Sequence, residues 1–228
     1  MRVEAVLVDA GGVLVTPDPA RIAAALAPFG LSVRADHCVR AHYAAVGELT
    51  RVTEGDSSVF RPYHHAFAVS CGADDDVLGA AVAALADEFS RPPMFTYVLP
   101  GAVEALRALC ELDLQVAIVT NSGGYAEEML RELGVCQAGA GPLPNVAMVV
   151  DSAVVGFEKP DPRIFEHTLD RLGVRADAAV HVGDTPAADV AGALAAGVTP
   201  VLIDPHDEHP NVTCTKVDHL ADVVGIVR

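Results

Sequence analysis

Hydrophobic positions follow two different periods along the chain, and the change between them divides it. Val3-Glu4-Ala5-Val6-Leu7-Val8 is a short, nearly unbroken apolar run that stops at Asp9 and is followed by Gly11-Gly12. Such a run predicts a buried strand entering a tight turn. From Ala20 to about Ser90 apolar residues recur with a helical period in an Ala-rich background, interrupted near Phe29-Gly30, Glu54-Gly55-Asp56 and Cys71-Gly72. No strand signal stands out in this stretch, so its helices should pack on one another as a bundle.

After Leu99-Pro100-Gly101 the pattern alternates. Helices are predicted over 102–111, 125–133, 162–172 and 187–196, the last three closed by Gly134, Gly173 and Gly197, which act as C-terminal caps. Strands are predicted over 115–119, 146–150, 179–182 and 200–203. Strands alternating with helices form right-handed βαβ units on a parallel sheet. The expected fold is α/β, a Rossmann-like doubly wound parallel sheet. That core would span residues 1–16 and 96–228, interrupted by an all-α helical-bundle cap at 17–95.

Four predicted strands end on polar groups: Asp9, Thr120-Asn121, Asp184 and Asp204. Open parallel sheets bind ligands beyond the carboxyl ends of their strands, so these residues are candidates for one site. Asp9 and Asp184 on adjacent strand ends would repel, pushing one pKa up. A divalent cation relieves that conflict, and hard oxygen ligands with few protein donors suit Mg²⁺. Asp189, five residues past Asp184, reads equally as support for the metal's water shell and as a helix N-terminal cap. Thr120-Asn121-Ser122-Gly123-Gly124 offers hydroxyls and backbone N–H groups that suit an anion, or an ordinary helix start. Lys159, pinned in Gly156-Phe157-Glu158-Lys159-Pro160-Asp161-Pro162, is either a point charge for a phosphoryl group or half of a surface ion pair.

Composition narrows the choice. Hydrophobic residues make up 51% of the 228, enough to bury a full core. The net charge of −16 argues against nucleic acid, whose binding draws on a basic face. It also repels phosphorylated substrates, so a site for them needs a local cation. Only Lys159 and Lys216 are lysines. The five cysteines lack CxxC spacing, and the first apolar run is too short for a signal peptide or membrane span. The expectation is a cytoplasmic protein with reduced thiols and no membrane partner.

Four segments, in order, resemble the haloacid-dehalogenase-like (HAD) hydrolase superfamily, in its branch with a helical cap after the first strand. They are Val6-Leu7-Val8-Asp9-Ala10-Gly11-Gly12-Val13-Leu14, Ala117-Ile118-Val119-Thr120-Asn121-Ser122, Gly156 through Phe165, and Val180-His181-Val182-Gly183-Asp184-Thr185-Pro186-Ala187-Ala188-Asp189. The resemblance implies that Asp9 attacks phosphorus and forms an aspartyl-phosphate that water releases. It implies Mg²⁺ held by Asp9, Asp184 and the backbone carbonyl of Gly11, with Asp189 supporting the metal site. Thr120, Asn121 and Lys159 would bind the phosphoryl oxygens. The cap would close over a small phosphorylated metabolite and select it, with Glu54-Gly55-Asp56-Ser57-Ser58 as a loop bearing on that choice, in a monomer or homodimer.

One position departs from the family pattern. A second aspartate usually stands two residues after the nucleophile and serves as acid and base; here it is Gly11. A phosphatase would then need a good leaving group or another acid, for which His42, Tyr63, His64 and His65 are candidates. Relatives that cleave carbon–phosphorus bonds use a cap lysine, and residues 17–95 contain none. Relatives that displace halide from 2-haloacids use no metal and carry an aromatic residue where Gly11 stands, so dehalogenation is disfavoured. The remaining alternative is a catalytically silent protein that retains the phosphate and metal pocket.

Overall fold

The structure, a computed structural model, describes residues 2–49 and 60–228; the Glu54–Ser58 segment lies outside them. The chain divides into two compact units, residues 1–14 with 98–228, and residues 15–97.

Strand β1 (Ala5–Val8) is buried at every position. The chain then enters the second unit through β2 (Val15–Pro17). Helix α1 (Pro19–Leu26) follows, started by Asp18, whose carboxylate accepts the Ala20 and Arg21 N–H groups ahead of a helix that begins with proline. Next come α2 (Ala35–Val46), α3 (Arg61–Ser70) and α4 (Leu78–Phe89). As the periodicity predicts, these helices pack on one another around Ile22, Leu26, Cys38, Ala41, Tyr63, Phe67 and Leu85. The pairing of β2 with β3 (Phe95–Val98) is unforeseen, because strands of three and four residues are too short to show a period of two.

The first unit resumes with α5 (Ala102–Cys110), β4 (Gln115–Thr120) and α6 (Ala126–Glu132). The short pair β5 (Gln137–Ala138) and β6 (Asn145–Val146) leads into β7 (Met148–Asp151), α7 (Ser152–Val155) and α8 (Pro162–Leu172). The chain ends through β8 (Ala179–Gly183), α9 (Ala191–Ala195), β9 (Thr199–Ile203), β10 (Thr215–Val217) and α10 (Leu220–Val227). Six strands form a parallel sheet in the order β10-β9-β8-β1-β4-β7. Leu7, Ala117 and Val119 pack on one face with Ile164, Phe165 and Leu169 of α8. Their alternating neighbours Val6, Val8 and Ile118 serve the opposite face, where α5 and α10 pack together. This is the α/β, doubly wound architecture that the strand–helix alternation predicts.

Candidate active site

Strand register sets the site. Val8 lies opposite Ile118 of β4 and Val182 of β8, Thr120 opposite Asp151, and Gly183 opposite Leu202. Asp9, Thr120, Asp151, Asp184 and Asp204 therefore leave the sheet along one carboxyl edge. The carboxylates of Asp9, Asp184 and Asp189 each place an oxygen within 4.8 Å of the others. Lys159 is only 2% exposed, and its Nζ lies 2.8 Å from Asp9 Oδ1 and 2.7 Å from Asp189 Oδ1. It is thus no surface ion pair but the cation inside a buried acidic cluster.

Each carboxylate has a different neighbourhood. Asp189 Oδ1 also faces His181 Nε2 at 2.8 Å, and Oδ2 accepts the Thr185 N–H at 2.9 Å. Both of its oxygens are engaged, and Asp189 anchors Lys159. Asp9 Oδ1 takes the Lys159 ammonium and the Ala10 N–H at 2.8 Å, while no hydrogen bond from the described residues falls on Oδ2. Asp184 Oδ1 accepts the Thr185 hydroxyl at 2.9 Å, and its Oδ2 rests against Gly12. Two hard carboxylates side by side, with one lysine among three acids, form a donor set that fits a divalent cation.

The cluster shifts its own titration. Burial drives Asp9 up to about 7; the Lys159 ammonium opposes this, and the Asp189 and Asp184 carboxylates add to it. Burial works against the Lys159 charge, yet Asp189 and Asp9 hold its pKa above the ordinary lysine value. Burial likewise disfavours the Asp189 carboxylate, but Lys159 and the His181 hydrogen bond keep it well below the usual range.

The neighbouring turn differs in detail from expectation. Asn121 spends its side-chain amide on the main chain of Lys159: Nδ2 donates to Lys159 O at 2.9 Å, and the Lys159 N–H donates to Oδ1 at 2.8 Å. Asn121 therefore ties the turn to the Lys159 main chain, where an anion would also meet the Thr120 hydroxyl and backbone N–H groups. Three contributors escaped the sequence reading. Asp151 accepts N–H groups from Gly124, Ala126 and Ala153, and the Ser152 hydroxyl bonds both the N–H and the carbonyl of Ser122. Together they pin the 120–124 turn. Asp151 ends an apolar run just as Asp9 does, a signal that would have found it. The third is His181, a polar residue within a fully buried strand. Asp204, by contrast, stands apart: it accepts the Glu208 and His209 N–H groups and pairs with Lys216 at 3.1 Å.

A haloacid dehalogenase-like hydrolase family model matches residues 3–197. The chain belongs to the haloacid dehalogenase-like hydrolases. It is 33% identical over 140 residues to mouse haloacid dehalogenase-like hydrolase domain-containing protein 3, covering 61% of this chain and 52% of that protein. It is 38% identical over 133 residues to the phosphoglycolate phosphatase of Rhodospirillum rubrum, covering 58% and 52%. The chain spans about half the length of these curated relatives. The solved structure of a HAD phosphatase from Thermococcus onnurineus shares the fold, with a TM-score of 0.59 and 23% identity over 98% of this chain and 97% of that one.

In this haloacid dehalogenase-like chain three of the helical unit's four candidate acids, His42, Tyr63 and His64, have other occupations. His42 Nδ1 lies 2.9 Å from the Tyr63 hydroxyl, and both rings join an aromatic cluster with Phe67, Phe89 and Phe95. His64 packs 4.9 Å from the Phe89 ring, and burial pushes its pKa down to about 4. His65 is exposed.

Gly12 is demanded twice over. Its φ of +63° is left-handed, and a Cβ there would lie 1.8 Å from Asp184 Oδ2. Gly12→Ala should cost at least about 1–2 kcal/mol from the backbone alone and displace the Asp184 carboxylate. We expect thermal melts to show a lower Tm. A variant with wild-type Tm would contradict the geometry.

Proposed function

We propose that this chain is a cytoplasmic, Mg²⁺-dependent phosphatase of small phosphorylated metabolites, working through an aspartyl-phosphate on Asp9. The observation that carries this reading is the buried Lys159 ammonium, 2.8 Å from a candidate nucleophile whose other oxygen takes no hydrogen bond from the described residues. The phosphatase-named relative in Rhodospirillum rubrum supports it. No helix among the described residues is long and apolar enough to cross a membrane.

Asp9 Oδ2 attacks phosphorus in line as the bond to the leaving oxygen breaks. Water then attacks the same phosphorus, the bond to Asp9 breaks, and inorganic phosphate leaves carrying the water's protons, with the carboxylate restored. Lys159 and the Thr120 hydroxyl face the negative charge of the phosphoryl oxygens, held beforehand where charge develops. Asp189 and Asn121 hold Lys159 from its two ends. Asp9, Asp184 and the backbone carbonyl of Gly11 would hold Mg²⁺, which supplies charge neutralisation at the phosphoryl group when bound.

Gly11 has no proton to give. Loss of a general acid typically lowers rate by about 10²–10⁴-fold, and the penalty grows with the basicity of the leaving oxygen. The favoured substrates are therefore esters whose leaving group departs as a stable anion. Gly11→Asp should raise turnover of alkyl phosphates more than that of activated aryl phosphates. An unchanged ratio between the two would remove this account of Gly11.

The direct test is phosphate release from an aryl phosphate with Mg²⁺ or with chelator. Turnover only with Mg²⁺ is expected. A second reading, a silent phosphate-binding protein, is favoured by Gly11 itself. It prevails if a broad panel of phosphate esters yields no product while inorganic phosphate still binds.

A further inference from the structure

We propose that His181, in the middle of strand β8, is a positioning residue that fixes the Lys159 ammonium through Asp189. The inference rests on the phosphatase reading above. His181 has no solvent exposure, and its strand neighbours Ala179, Val180 and Val182 are apolar. A polar ring at the centre of such a strand costs free energy unless its nitrogens find partners. Here both face acceptors; a neutral imidazole carries a single N–H, which on Nε2 donates to Asp189. Nδ1 lies 3.1 Å from the Leu7 carbonyl of β1, two residues before Asp9, and Nε2 lies 2.8 Å from Asp189 Oδ1. Phe165 of α8 packs edge-on against the ring, with centroids 4.8 Å apart, and leaves little freedom to swing.

The ring thus links the nucleophile's strand to the carboxylate that holds the lysine. Asp189 Oδ1 takes two partners, His181 and Lys159, and Lys159 passes on to Asp9. The main chain around Asp189 departs from regular helix at this point. Residues Pro186–Val190 form a π-helical turn, with the Ala191 N–H donating to Pro186 O. Gly183 opposite has no side chain, and a Cβ there would lie 2.1 Å from Asp189 Cγ. A widened turn and a glycine make room for Asp189 to reach both partners. Such turns occur preferentially at functional sites. Without His181, the lysine's anchor loses its support from the sheet, and the ammonium can settle away from the phosphoryl oxygens.

Gln and Asn separate the two contacts. The amide nitrogen of Gln reaches the place of Nε2 and can donate to Asp189; that of Asn reaches only the place of Nδ1 and the Leu7 carbonyl. Turnover of an aryl phosphate with Mg²⁺ is measured for both variants, each shown folded at the assay temperature by circular dichroism. Binding of inorganic phosphate and of orthovanadate is measured alongside. We expect His181→Asn to lower kcat by about 10–100-fold, the usual effect of losing a partner that orients an active-site ligand. It should also weaken vanadate, which mimics the five-coordinate transition state, more than phosphate. His181→Gln should recover most of both losses. A merely structural His181 would leave the vanadate-to-phosphate affinity ratio unchanged in the folded variants, and that result overturns the proposal. Equal kcat in the Asn and Gln variants overturns it as well. Failure of the phosphatase reading would show in the wild-type protein itself, as absent turnover; failure of this inference shows only in the variants.

Discussion

Asp9→Asn should eliminate phosphate release and, in metal-free buffer above pH 7, give a more stable protein than the wild type. The amide has no anionic oxygen with which to attack phosphorus, and removing a nucleophile or its direct partners lowers kcat by about 10⁴-fold or more in well-studied hydrolases. The stability effect follows from burial first. Asp9 titrates at about 7 in the folded protein against an ordinary value of 3.8, because it is buried and faces Asp189 and Asp184, with Lys159 opposing. Between those two values the folded protein keeps a proton that the unfolded chain has released. Stability therefore falls as pH rises through this window, and the full penalty is in place above it. Asparagine has no such proton, so the variant should lack that slope. Melts from pH 4 to pH 8 in chelator check this, alongside phosphate release in Mg²⁺. Activity within tenfold of wild type, or a variant that melts below wild type at pH 8, would count against the assignment.

The same carboxylate shows why parts of the site can be read from the sequence and others cannot. Asp9, Thr120 and Asp184 are visible because each follows an apolar run, and parallel strands deliver their carboxyl ends to one edge whatever the register. Asp204 meets the same criterion, yet its oxygens serve the 208–209 backbone and Lys216. A strand end predicts location and says nothing of which way the side chain turns. Asn121 teaches the same lesson: its place at the turn is legible, whereas its bonds to the Lys159 backbone depend on two segments 38 residues apart. The helix predicted over 187–196 is correct in place but not in winding. Apolar periodicity cannot register a side chain that must reach back to His181 and Lys159, and one residue of slack in the turn accommodates that reach. In the helical unit, His42 and Tyr63 look like candidate acids because they are polar, but their ring contacts place them in an aromatic core.

Lys159→Met should be inactive and destabilised, and adding Asp189→Asn should restore much of the stability without restoring turnover. Methionine fills nearly the same length in a site only 2% exposed, so packing is largely kept while the charge is lost. Asp9 and Asp189 would then face each other and Asp184 with no cation between them, in a cluster whose oxygens lie within 4.8 Å. Removing one partner of a buried ion pair costs about 3–5 kcal/mol, because the remaining charge stays buried without compensation. Neutralising Asp189 removes one of those charges, so the two substitutions should be non-additive by roughly 0.5–3 kcal/mol, the range for residues in one network. On the proposed phosphatase mechanism turnover needs the ammonium at the phosphoryl oxygens, and no substitution at Asp189 supplies that. Denaturant unfolding of the wild type, both single variants and the double variant gives the coupling energy, and phosphate release gives the activity. Additive stabilities would mean that Lys159 and Asp189 do not depend on each other. Recovered turnover in the double variant would mean that the lysine's task is to neutralise Asp189 and not to meet the substrate, a result that would move the phosphoryl-binding role to the Thr120 turn.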